Sequence, residues 1–446
     1  MQVVSTHCAG LDVHKKTVVA CRSRLQKNGG GVEQERKTFG TTTPDLLELV
    51  EWLKEWGCSQ VAMESTGDYW KPVYNLMEGV FEVLLTNAHH VKYVPGRKTD
   101  LSDAEWLTDL LRHGLLKGSF IPPKGQRDLR ELTRYQTKLV QERVRQVNRV
   151  QKLLEGANIK LASVASDIFG VSGRAMLAEL VAGQTDPVVM AELAKGRLRN
   201  KLRELEKALT GQVEEHHRFM LGHLLSHVDY LDEKLGLLEK QIDQQVATMG
   251  TQSLPALAQE QDMRDWLIEQ ALIYPLDQPL PAILAVALLT TIPGVDWKIA
   301  VVIVAELGPD MSYFPSDKHA AAWSGLAPGN HESAGKRYSG KTKPGNQALK
   351  TILSQAAWAA SRTKNTYLSA QYRQLVRRRG KKRAIIAVAH SIIISAYHML
   401  SRHQVYRDLG DNYFDERKKA AVVNRLSRRL SKLGYSVRLE PLVEAA

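Results

Sequence analysis

The sequence is poor in cysteine, with Cys8, Cys21 and Cys58 alone among 446 residues, and these form no CxxC pair and no linked spacing with histidine. That argues against both a disulfide framework and a structural zinc site. Long hydrophobic runs are also lacking. Ala282 to Leu289 and Ile299 to Leu307 fall short of the ~20 residues needed to cross a bilayer. Ala384 to Leu400 is longer, but His390, Ser391, Ser395 and His398 interrupt it at spacings typical of a buried helix in a water-soluble protein. The N-terminus has no basic stretch leading into an apolar run, so no secretory leader is read there. The expectation is a cytoplasmic protein with no membrane association.

Positive charge is in excess. Lys and Arg total 61 against 48 Asp and Glu, a formal net charge of +13, which calls for a polyanionic partner. The basic residues are spread along the chain instead of clustering beside one apolar anchor, so nucleic acid is favoured over an anionic membrane. Hydrophobic residues make up 43% of the chain, enough for several cores, and disorder is not expected.

Strand-like and helix-like stretches alternate over the first 120 or so residues. Val3 to Leu11 and Thr17 to Arg22 read as strands, Pro44 to Trp56 as a helix, Gln60 to Met63 and Val80 to Leu85 as strands, and Asp103 to Leu116 as a helix ended by Gly118 and the Pro122-Pro123 pair. Such interleaving predicts an α/β layer. From Lys124 to Glu155 an apolar stripe (Leu129, Leu132, Leu139, Val147, Val150, Leu154) runs beside Arg127, Arg130, Arg134, Arg143, Arg145 and Arg149, which predicts a long basic amphipathic helix. A second helical region, roughly 190 to 247, places Leu221, Leu224, Val228, Leu231, Leu235, Leu238 and Ile242 at alternating spacings of three and four. This seam needs a partner helix, either within the chain or in a coiled coil between subunits. Prolines 255, 275, 279 and 281 mark a linker or domain change. The run from Thr291 to Ala300, with its Pro-Gly turn, reads either as a helix-hairpin-helix element contacting DNA backbone or as a plain αα turn. The tail, with Arg417, Lys418, Lys419, Arg425, Arg428, Arg429 and Lys432, is a basic helix that rides on phosphates or is simply solvated. The expected division is 1–155, 156–275, 276–405 and 406–446: an α/β domain with the basic helix, a helical coiled-coil region, a mainly α domain, and a basic tail.

Four carboxylates stand out by position. Asp12 lies in Gly-Leu-Asp-Val-His, Glu64 closes Val-Ala-Met-Glu, and Asp100 and Asp103 form an acidic pair at a helix start. Residues three apart on a helix share a face, and acids at strand ends can point into a common site. Mg2+ takes a few carboxylates together with water and phosphate oxygens, and two such ions about 4 Å apart can clamp the attacking and leaving oxygens of a phosphodiester. Any one of these acids on its own reads equally as a cap or a solvated charge. Together they resemble the RuvC-like nuclease domains of the RNase H superfold.

The second constellation runs from Trp323 to Asn346. It contains a literal GxxxxGKT phosphate-loop pattern from Gly335 to Thr342, but polar, turn-forming residues precede it and Pro344-Gly345 follows it. A nucleotide-binding loop needs a feeding strand and a departing helix, so nucleotide hydrolysis is set aside. Ser333 reads instead as a nucleophile on a flexible loop, with Lys336, Arg337, Lys341 and Lys343 nearby to stabilise phosphoryl charge. Serine attack would conserve the broken phosphodiester as a phosphoserine ester and so permit rejoining without ATP. Ser324 and Ser339 are local competitors, and a loop of this composition also suits nonspecific phosphate binding.

These residues resemble the insertion-sequence 110 transposases, also called bridge-RNA-guided or DEDD recombinases. The likeness runs through Gly-Leu-Asp-Val-His-Lys, Met-Glu-Ser-Thr-Gly, Lys-Thr-Asp-Leu-Ser-Asp-Ala-Glu and Ile-Pro-Pro, then through Ile-Pro-Gly-Val, Ser-Gly-Leu-Ala-Pro, Glu-Ser-Ala-Gly-Lys-Arg and Gly-Asn. It implies that Asp12, Glu64, Asp100 and Asp103 are the metal-holding acidic tetrad and that Ser333 is the covalent nucleophile. It further implies an element-encoded guide (bridge) RNA that pairs with donor and target DNA, and a homo-oligomer, dimer or tetramer, whose acids and serine come from different subunits. Where family members often carry paired serines before Gly-Gly-Lys, this chain has Glu332-Ser333-Ala334-Gly335-Lys336, leaving only Ser333 for the role. The basic residues expected to bind nucleic acid are Lys336, Arg337, Lys341 and Lys343 with Arg127, Arg130, Arg134, Arg143 and Arg149. Two rivals are a metal-only nuclease whose C-terminal domain merely binds DNA, and a non-catalytic RNA-binding scaffold.

Overall fold

The computed structural model describes residues 3–26, 31–65, 67–87, 91, 102–249, 260–329 and 331–440, apart from the side chains of Glu260, His331, Arg337 and Tyr338. The chain forms two compact units, Met1–Pro122 and Pro123–Ala446.

The first unit is built on a five-stranded mixed sheet. Its strands are β1 (His7–Val13), β2 (Thr17–Leu25), β3 (Val32–Gly40), β4 (Gln60–Glu64) and β5 (Glu82–Thr86), in the order β3-β2-β1-β4-β5. β1, β2 and β3 form an antiparallel meander, while β4 and β5 join parallel to β1. Helices α1 (Thr43–Glu55) and α2 (Trp70–Met77) supply the parallel crossovers. Side chains alternate across the sheet. Ala9, Leu11 and Val13 of β1 and Val61 and Met63 of β4 are buried with Leu46, Leu49, Val50 and Leu53 of α1. The opposite face of the same strands carries Cys8, Gly10 and Ala62 and packs against α3 (Asp103–Arg112). This helix stops earlier than the expected Leu116, because Gly114 takes a left-handed φ of 65° and turns the chain.

The second unit is almost wholly helical. Its long helix α4 (Lys124–Gly156) packs against α7 (Glu215–Thr248), with α5 (Val171–Ala182) and α6 (Leu202–Leu209) in the connection between them. Pairs along the seam run antiparallel: Gln245 Nε2 donates to the Gly125 carbonyl at 3.3 Å, and Arg143 forms an ion pair with Asp232. The seam of α7 therefore finds its partner within the chain, which leaves Leu221, Leu225, Val228, Leu231, Ile242 and Val246 buried. The proline-marked region after it is not a bare linker, since α8 (Glu260–Ile273) lies between Pro255 and Pro275. Then follow α9 (Ala282–Leu289), α10 (Trp297–Leu307), α11 (Asp317–Trp323), the hairpin β6 (His331–Ser333) and β7 (Lys336–Ser339), α12 (Gln347–Ala360), α13 (Tyr367–Arg379), α14 (Lys381–Arg402) and α15 (Lys419–Lys432).

By length and composition α14 is apolar enough to cross a membrane. It is instead a central element of this unit, packed against α9, α11, α12 and α13, with Ile385, Val388, Ile392, Ile393 and Leu400 buried. The Pro-Gly turn between α9 and α10 uses the N–H groups of Thr291 and Ile292 in bonds to the last carbonyls of α9, Leu288 and Leu289, and that of Val295 in a bond to the Ile292 carbonyl. Gly294 sits against α12, where a Cβ would lie 2.4 Å from the Ala360 nitrogen. That geometry supports the plain αα turn over a phosphate-gripping one. No residue of α15 is buried.

Candidate active site

Parallel pairing of β1 with β4 sets Leu11 beside Met63, so the next residues, Asp12 and Glu64, sit side by side on strands about 4.8 Å apart. Both lie on the face that packs against α3. The packing fixes the direction of that helix: Cys8 lies by Thr108 and Leu111, while Gly10 lies by Ala104 and Thr108. Moving up β1 thus moves back toward the start of α3, and Asp12 comes level with its first turn, where Asp103 is the first residue. A capping box holds that turn. Glu105 accepts from the Ser102 N–H at 2.8 Å and from its hydroxyl at 2.7 Å, while Ser102 Oγ accepts from the Glu105 N–H. These bonds keep the Glu105 carboxyl below its ordinary pKa. The Ser-x-x-Glu spacing was available in the sequence as a helix-start signal.

Asp12 is one-quarter exposed and sits 3.1 Å from His14 Nε2. Asp100 lies outside the described residues. Three carboxylates thus lie at one end of one sheet face, and carboxylate oxygens are the ligands that a hard divalent cation takes. The described residues bring one group of three metal-capable side chains within 4.8 Å, and it lies elsewhere: Glu214, His216 and His217. That group already closes the start of α7, with His217 Nδ1 accepting the Glu214 N–H at 3.2 Å. A metal at either nitrogen of this histidine would disrupt that bond or its tautomer.

Ser333 is the last residue of β6. It pairs with Lys336 across the two-residue turn Ala334-Gly335, whose φ angles of 49° and 74° are those of a tight hairpin turn. The expected flexible loop is thus a short antiparallel hairpin with Ser333 and Lys336 exposed at its tip. The phosphate-loop pattern falls across β7, with no helix directly after its Lys-Thr pair. Ser324 is fully buried and donates to the Ala321 carbonyl at 2.8 Å, which rules it out as a nucleophile. Ser339 is exposed and accepts the Lys341 N–H.

The basic residues divide. Lys336, Lys341 and Lys343 are exposed on or beside the hairpin, and the Arg337 side chain is outside the described set. Arg127 is half-buried. Arg130 and Arg134, expected on DNA, converge instead on Glu306 of α10, a carboxylate with no solvent exposure. Burial pulls the Arg130 pKa down to about 10, against the opposing pull of Glu306, so it is still charged at neutral pH. Arg143 is held by Asp232, and Arg149 donates to Gln146 at 3.2 Å. Joint Lys336, Lys341 and Lys343→Ala substitution is therefore expected to reduce the slope of log affinity against log salt by about 0.9 for each DNA phosphate that is no longer neutralised. Arg130→Ala should chiefly lower the melting temperature and leave that slope unchanged. Filter binding across a salt series, run beside thermal melts, separates the two.

Two family profiles match the chain: one described as transposase, of DEDD type, over residues 9–159, and one described as transposase IS116/IS110/IS902 family over residues 286–373. Together they span just over half of the chain. The chain belongs to the IS110 family of transposases. It is similar to the transposase for insertion sequence element IS1111A of Coxiella burnetii, 23% identical over 89% of this chain and 90% of that protein. A putative transposase, y4rJ, of Sinorhizobium fredii is 25% identical over 62% of this chain and 58% of its own length. This IS110-family transposase is thus an enzyme that cleaves and joins DNA, binds DNA, and by its DEDD domain uses a divalent metal.

Proposed function

We propose that this IS110-family transposase cuts and rejoins donor and target DNA through a phosphoserine intermediate at Ser333, assisted by Mg2+ held by Asp12, Glu64, Asp100 and Asp103, and guided by an RNA encoded in its element. The observation that carries the reading is the level placement of Asp12 and Glu64 on β1 and β4 beside the start of α3. Strand order β3-β2-β1-β4-β5 supports the RuvC-like, RNase H-type assignment of this sheet.

Ser333 Oγ attacks phosphorus, the bond from phosphorus to the DNA leaving oxygen breaks, and that oxygen takes up a proton as a free hydroxyl. The hydroxyl of an exchanged strand then attacks the phosphoserine and releases Ser333, so the phosphodiester count is unchanged. Lys336, beside Ser333 across the turn, is positioned to steady the charge on the phosphoryl oxygens. Bound Mg2+ would polarise the phosphate and stabilise the oxyanions of attack and departure.

The four-part division at 155, 275 and 405 belongs to the same proposal, as does a dimer or tetramer. Val140, Val144, Tyr230 and Leu237 are exposed on α4 and α7, which supports association through these helices after their shared seam is filled.

The test is a DNA cleavage reaction trapped under denaturing conditions. A protein–DNA adduct should form with the wild type and vanish in Ser333→Ala; strand exchange by Ser333→Ala at the wild-type rate would leave the metal-only nuclease standing. Mixing Ser333→Ala with Asp12→Asn should restore part of the activity if acids and serine come from different subunits. Sequencing the RNA that copurifies with the protein tests the guide, because its loops should match both DNA partners.

A further inference from the structure

Glu306 lies in an apolar run, Val301 to Leu307, and nothing in its local pattern marks it for a role. Its carboxylate nevertheless accepts three hydrogen bonds and pairs with a second arginine, whose Nε–H donates to the Ala305 carbonyl. Arg134 binds it in a fork, Nε at 2.7 Å and Nη2 at 2.9 Å, Arg130 Nε lies at 3.2 Å, and Asn346 Nδ2 donates at 2.6 Å. The two arginines come from α4, and Asn346 stands where the chain leaving the Ser333 hairpin becomes α12.

Asn346 has no freedom to turn. Its Oδ1 accepts the Leu349 N–H at 3.0 Å as the helix cap, so its amide nitrogen faces Glu306, and its own N–H donates to the Trp323 carbonyl at 2.8 Å. Trp323 ends α11 and begins the leg that leads into the hairpin. The two legs touch through backbone: a Cβ on Gly345 would fall 2.3 Å from the Gly325 nitrogen, and one on Gly329 would fall 2.1 Å from the Lys341 carbonyl oxygen. The base of the hairpin is thus closed where Asn346 meets Trp323, and the same Asn346 side chain donates to Glu306. At its tip, among the described residues, Ser333 and Lys336 have no side-chain hydrogen bond or ion pair.

We propose that Glu306 is a positioning residue that, through Asn346, fixes the base of the Ser333 hairpin to α4. The role rests on the reading of Ser333 as nucleophile. A buried carboxylate shared between a bidentate arginine and a cap residue tolerates little displacement, and small errors at a reacting atom are costly in rate.

The experiment uses the full-length protein and DNA carrying the ends of its insertion sequence, and reads covalent adduct formation, DNA affinity and melting temperature together. Asn346→Asp keeps the cap acceptor but sets a carboxylate against Glu306, and Asn346→Ser keeps the cap but cannot reach Glu306. Each should form adduct roughly ten- to hundredfold more slowly with DNA affinity unchanged. Wild-type adduct rates in both folded Asn346 variants would overturn the proposal, as would losses that only track the unfolded fraction. Should Ser333→Ala itself still form adduct, the nucleophile reading has failed and this role falls with it; loss of adduct in Ser333→Ala alone, with both Asn346 variants normal, isolates the failure to Glu306.

Discussion

Asp12→Asn is expected to slow DNA cleavage by about three orders of magnitude or more, the scale of several kcal/mol of lost metal-assisted charge stabilisation, with DNA affinity nearly unchanged. Asparagine has the shape of aspartate, so β1 and its pairing with β4 should stay intact. What goes is one anionic donor beside Glu64. Removing a negative charge from a set of like charges relieves repulsion, so the melting temperature should stay level or rise slightly, the usual mark of a site that trades stability for function. Glu64→Gln should behave alike. Cleavage by Asp12→Asn at the wild-type rate would reduce Asp12 to a solvated partner of His14, 3.1 Å away. A gel-based cleavage assay with excess Mg2+ decides between these outcomes.

What the sequence made legible follows the range of each interaction. The sheet was readable because strands announce themselves locally, through apolar runs and turns. Asp12 and Glu64 drew notice because they interrupt or close those runs, and the structure sets them on adjacent strands. The partner of the α7 seam was not, since a three-four repeat fits an intrachain helix as well as a second subunit; pairs such as Gly125–Gln245 and Arg143–Asp232 show that it lies within the chain. Arg130 and Arg134 looked like a phosphate-binding row because one turn of helix separates them, and spacing carries no information about a carboxylate more than a hundred residues away. Glu306 gave no signal for the same reason. Ser324 and Ser333 were alike in local composition; the family motif favoured Ser333, and burial then removed Ser324.

Gly10→Ala tests whether the acids depend on the seat of α3. A Cβ at Gly10 would lie 2.4 Å from the Ala104 carbonyl oxygen and 2.6 Å from the Thr108 nitrogen. Both are backbone atoms of α3, so no side chain can swing away. Thr108 is also tied down, its hydroxyl bonded to the Cys21 and Ala104 carbonyls. The helix must therefore lift from β1. Overpacking of this kind costs about 1–3 kcal/mol, sometimes more, which for a unit of this size lowers the melting temperature by roughly 4 °C per kcal/mol. The larger consequence is chemical. Lifting α3 moves Asp103 relative to Asp12 and Glu64, and displacement of about 1 Å can cost a hundredfold in rate. Cleavage by the folded fraction of Gly10→Ala should thus fall well beyond what unfolding explains, measured below the variant's own melting temperature. A variant that loses stability yet cleaves normally per folded molecule would detach α3, and Asp103 with it, from the site.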